Sequence, residues 1–181
     1  MTEEQISIST KYVHIMLDQA EGMFGKRDES WTYIGVEFQS DGPYICYYPR
    51  KRVSVVLLSG CSEYPFQYYF ELAHEVCHLL YPTGKRDANV LNEGLSAYFQ
   101  VHYLKQMYPG STLAIDLIRK SKYHRAYSLV SILLSRDINI IKKLRAIQPS
   151  ISVVTKDDFL KLDIQIEDEL IEELLLKFNN D

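Results

Sequence analysis

The stretch from Phe66 to Tyr81 constrains this chain more than any other. Phe66, Tyr69, Phe70, Ala73, Val76, Cys77, Leu80 and Tyr81 recur with the three-to-four residue spacing of a helix, and Pro82-Thr83-Gly84 ends the pattern. Inside it stand His74, Glu75 and His78. Two histidines four positions apart lie on one helix face, one turn from each other, so both imidazoles can reach a single metal ion. Glu75 follows the first histidine and projects near the open coordination position, where it can take a proton from a water. A charged Glu75 beside Cys77 and among aromatic rings is costly in a packed core, and a metal-lined cleft removes that difficulty.

A catalytic zinc site uses three protein ligands and a water, so one more donor is required. A second predicted helix, from about Asn89 to Met107, offers Glu93 within the run Asn92-Glu93-Gly94. The intervening chain is long enough to finish the first helix, turn at Pro82-Thr83-Gly84 and bring the second helix back alongside. Taken alone, Glu93 reads equally as a first-turn glutamate answering the helix dipole, with Asn89 or Asn92 as the cap. Taken with the histidines, it completes a ligand set of His74, His78 and Glu93.

Carried on His74, Glu75, His78, Asn92 and Glu93, the chain resembles the gluzincin group of zinc metallopeptidases over roughly residues 52 to 101. The resemblance implies a minimal zincin fold and a Zn2+ ion held by His74, His78 and Glu93. It further implies hydrolysis of a bond in a peptide or protein substrate, with Glu75 as general base. An edge strand above the metal, along which extended substrate adds by main-chain hydrogen bonds, is also implied, and Val53 to Leu58 occupies that place in chain order.

Some gluzincins carry an acidic residue one turn after the glutamate ligand to orient a histidine; this chain has Ala97 there, leaving Asn92, Ser96 or a backbone carbonyl for that task. A Tyr or His commonly helps hold the oxyanion. The run Lys122-Tyr123-His124-Arg125-Ala126-Tyr127 offers His124 and Tyr127, close to one helical turn apart, and Tyr123 and Tyr127 also share a side. A second reading keeps the metal site but makes the protein a catalytically silent sensor or interaction module.

Around this centre the patterning predicts an opening helix from Ile6 to Phe24, with Ile8 on its apolar face, then strands from Trp31 to Phe38 and Tyr44 to Tyr48 joined by the turn Ser40-Asp41-Gly42-Pro43. A third strand runs from Arg52 to Leu58. Helices are expected from about Ser111 to Lys120, from His124 to Ala146 with a possible break at Asp137 and Ile138, from Thr155, and from Glu167 to Phe178. The sum is an α+β chain, one domain of 181 residues, with a small sheet packed on the metal-binding helix and a mainly helical C-terminal half.

Composition narrows the partners. Hydrophobic residues at 46% and charged residues at 24% match an ordinary globular protein rather than a disordered one. A net charge of −4 without a long basic run argues against nucleic acid, and Arg50-Lys51-Arg52 reads as a solvated strand end. No apolar run reaches membrane-spanning length, and the acidic start Met1-Thr2-Glu3-Glu4 lacks the basic, then apolar pattern of a secretory leader. Cys46, Cys61 and Cys77 are odd in number and widely spaced, so a cytoplasmic location with three reduced, packed thiols is expected. Cys77 points to a different helix face from His78, and His14 and His102, outside any motif, read as structural.

Overall fold

A computed structural model describes residues 3–85 and 87–178. The chain runs through α1 (Glu3–Phe24), β1 (Thr32–Gln39), β2 (Tyr44–Tyr48) and β3 (Arg52–Leu58) before α2 (Pro65–His78) and α3 (Val90–Met107). It continues through α4 (Leu113–Arg119), α5 (His124–Arg136), α6 (Ile140–Ile147), α7 (Lys156–Leu160) and α8 (Asp168–Leu175). The fold is α+β. Ile8 lies outside the described side chains, while Val13, Met16, Leu17, Ala20 and Phe24 carry the buried face of α1.

In β3, Val53, Ser54, Val55, Val56 and Leu57 are all buried, which requires cover on both faces of the strand. Accordingly β3 is the middle strand of three, pairing parallel with β1 and antiparallel with β2. One expectation is corrected here: Val53 to Leu58 is not an edge strand. The first and second strands are joined by a turn but do not pair, because β3 lies between them. The edge strands are β1 and β2, and Val53 to Leu58 is interior. Gly42 shows how the connection passes β3: a Cβ there would sit 2.6 Å from the carbonyl carbon of Leu57, so the chain crosses the end of β3 in direct backbone contact.

Helix α2 begins at Pro65, whose missing N–H costs nothing at a helix start. Nearly two turns further in, the buried Glu71 carboxylate accepts from Leu58 N–H at 3.0 Å and from Gln67 Nε2 at 2.8 Å, tying the helix to the end of β3. The helix ends at His78, earlier than the apolar spacing predicts. Leu79, Leu80 and Tyr81 continue as tighter turns in which each N–H bonds three residues back. Leu79, Leu80 and Tyr81 remain buried there, and it is burial that the spacing records.

Helix α3 is capped by Asn89, whose Oδ1 accepts from Asn92 N–H at 2.8 Å while its Nδ2 donates to the Ile151 carbonyl at 3.0 Å. It packs between α2 and α5. The predicted long helix from His124 divides into α5 and α6 at Asp137, which is extended and whose Oδ1 accepts from Asn139 N–H at 2.8 Å. Helix α8 also ends before Phe178. Residues 176–178 instead run antiparallel to the entry of α3, with Val90 N–H donating to Leu176 O and Phe178 N–H to Ala88 O, both at 2.9 Å.

A single apolar cluster runs from Val13 in α1 through the sheet and α2 to Leu174 in α8. Arg50, Lys51 and Arg52 are exposed at the β2–β3 connection, as expected of a solvated strand end. Among the described residues, no helix is long and apolar enough to cross a membrane.

Candidate metal centre

Helices α2 and α3 bring His74, His78 and Glu93 together. Glu93 Oε2 lies 3.2 Å from His74 Nε2, and Oε1 lies 3.6 Å from His78 Nε2. One donor atom from each residue falls within 4.8 Å of the others. A tetrahedral ion with bonds of about 2.1 Å separates its ligand atoms by on the order of 3.4 Å, so the two contacts to Glu93 have the spacing of donors around one cation. The donor chemistry, two imidazole nitrogens and one carboxylate oxygen, fits a divalent transition metal.

The electrostatics of the cluster are those of a site short of positive charge. Burial alone would raise the Glu93 carboxyl, but the charges of His78 and His74 together with Lys122 outweigh it and hold Glu93 at about 2. Burial likewise opposes a charged His74, yet its hydrogen bond to Glu93 and the Glu93 and Glu75 carboxylates raise its pKa. At His78 burial prevails and the pKa falls, with Glu93 partly offsetting it. The carboxylate is therefore ionised and His74 is the imidazole that favours its charged form beside it, a task that a bound cation would take over.

These residues line a cleft of about 320 Å³. Tyr44, Ile45 and Tyr47 of β2 line the same cleft, as do Lys122 and Tyr123. Glu75 faces the same cleft although it is only 5% exposed. The Tyr123 ring lies 4.8 Å from the His74 ring on one side and stacks on Phe178 on the other, at 5.4 Å and 5°. Burial, then the Glu93 and Glu75 charges, raises the Tyr123 pKa well above the ordinary phenol value, so its hydroxyl stays protonated.

Four sequence-derived residues, His74, Glu75, His78 and Glu93, thus meet in one place. The other two do not: His124 is exposed at the start of α5, and Tyr127 stacks on Tyr98 with ring centroids 6.2 Å apart. Neither lines the cleft, and Tyr123 does. The stacking partner that holds Tyr123 comes from the end of the chain, so local spacing could not separate it from Tyr127. Ser96 attends His78, its Oγ lying 3.3 Å from His78 Nε2, while the Asn92 side chain donates to Ser152 Oγ at 2.7 Å.

The remaining histidines and cysteines lie elsewhere. His102 bonds to Gln106 at 2.9 Å, and His14 packs edge-on to Tyr33. All three cysteines are free, and Cys77 is buried with its thiol pushed up to about 12, mainly by burial.

No protein-family model matches this chain, and comparison with curated proteins and with solved structures gave no match.

Proposed function

We propose that this protein is a zinc-dependent peptidase of the gluzincin type. The reading is carried by one observation: two imidazoles and a carboxylate converge from adjacent helices beside a buried Glu75, in a cleft lined also by an edge strand of the sheet. His74, His78 and Glu93 would hold the ion, and a mixed nitrogen and oxygen set of this kind suits zinc. When bound, zinc supplies a concentrated positive charge that acidifies water and polarises a substrate carbonyl.

The protein's own groups supply the rest. Glu75 takes the proton from the attacking water and returns it to the leaving amine, a role that requires a carboxylate in the cleft beside the ligands. Tyr123 donates a hydrogen bond to the oxygen of the scissile carbonyl as charge builds on it. Among the described residues β2 pairs only with β3, so its outer edge presents main-chain groups to an extended peptide lying along the cleft.

The test is hydrolysis of a fluorogenic peptide library by the zinc-loaded protein. Cleavage abolished by a chelator, restored by zinc and absent in Glu75→Gln supports the reading. A zinc-loaded wild type that cleaves nothing favours a silent sensor or interaction module.

A further inference from the structure

Gln100 lies two turns beyond Glu93 on α3 and is buried against α2. Its Nε2 donates to the carbonyl oxygen of Phe70 at 2.7 Å. A carbonyl only accepts, so this bond dictates which way round the amide sits: nitrogen toward Phe70, oxygen away from it. Gln100 Oε1 is buried and, among the described residues, has no hydrogen-bond partner; the same is true of His74 Nδ1. An acceptor and a ring nitrogen able to donate are thus both left over on facing helices. They are also neighbours. The Phe70 carbonyl that holds the Gln100 amide belongs to the turn of α2 that leads into His74.

We propose that Gln100 is the positioning residue of the metal centre, accepting from Nδ1–H of His74 so that Nε2 is the nitrogen turned toward Glu93 and the ion. The inference rests on the zinc reading above. The neutral imidazole has one proton to place, and an acceptor at Nδ1 puts it there, leaving the Nε2 lone pair for coordination. Phe70 lies one turn before His74 on the same helix, so the clamp is referenced to the backbone that carries the ligand. Ala97, fully buried and apolar, offers nothing at the position one turn after Glu93, and Gln100 reaches the ring from one turn further along α3.

Gln100→Met keeps length and bulk while removing both hydrogen bonds. Zinc affinity, measured by competition with a chromophoric chelator, should weaken about 10- to 100-fold. In nitrogen-15 histidine spectra the zinc-loaded wild type should show His74 coordinated through Nε2, with a slowly exchanging Nδ1 proton that is lost in the variant. A merely structural side chain would leave that proton and its exchange rate unchanged. Equal affinity and an unchanged His74 signal in Gln100→Met would overturn the assignment of Gln100 while leaving the metal site standing. A wild type that binds no zinc would remove both. Should the variant not fold, the wild-type spectrum decides: His74 bound through Nδ1, or a rapidly exchanging Nδ1 proton, contradicts the proposal.

Discussion

Gly94 packs so tightly on Ala126 that a Cβ at Gly94 would sit 2.4 Å from the Ala126 carbonyl oxygen and 2.6 Å from Val130 Cγ2. This contact sets the spacing of α3 and α5, and therefore of Glu93 and Tyr123, which the two helices hold at one cleft. In an open helix, replacing glycine with alanine gains about 0.5–1 kcal/mol. Here overpacking of about 1–3 kcal/mol opposes it. Gly94→Ala should therefore lower stability in urea or thermal unfolding and weaken zinc binding with it. A more stable variant would contradict the close packing.

In the proposed mechanism Glu75 is the group whose loss separates metal binding from chemistry. Glu75→Gln keeps the size of the side chain but cannot take a proton. It should retain wild-type zinc content while peptide cleavage falls about 10²- to 10⁴-fold. Metal analysis and turnover measured on the same preparation check this, and an active Glu75→Gln would remove Glu75 as the base.

Tyr123 and Tyr127 differ in what they face. Tyr123→Phe should keep zinc and lose about 10²- to 10³-fold in kcat, the usual cost of removing one oxyanion donor. Tyr127→Phe and His124→Ala should each remain within about twofold of wild type, since neither side chain lines the cleft. Comparable losses in all three would mean that the contribution of Tyr123 is to packing.

Cys61 and Cys77 are buried, and burial first among the causes pushes each thiol up to about 12. At pH 8 only about one such thiol in ten thousand is the reactive thiolate. Cys46 is half-buried on β2. Iodoacetamide should therefore label Cys46 first in the folded chain and all three thiols after unfolding. Early loss of Cys77 would show that the core around the metal helix opens readily.

The parts of this structure that local patterns encode are legible in the sequence. Helix α2 and its candidate metal ligands stand out because periodic burial and four-residue spacing are properties of one continuous segment. Strand order is not such a property: β1 and β2 are joined by good turn chemistry, yet the pairing is decided by β3, which enters between them. The same holds for the proposed oxyanion donor. Helical spacing places Tyr123 and Tyr127 on one side, but it is Phe178, carried back by the chain after α8, that stacks on Tyr123 beside His74. Gln100 escapes notice for a related reason, since only the placement of the Phe70 carbonyl turns its amide oxygen away from that carbonyl.

The central claim is that three side chains from α2 and α3 grip one ion, and elemental analysis of the purified protein addresses it directly. After zinc loading and removal of excess, wild type should carry about one zinc per chain, and His78→Ala and Glu93→Ala should carry little, because a site of three protein ligands does not survive the loss of one. Full zinc occupancy in either variant, or none in the wild type, would contradict the account.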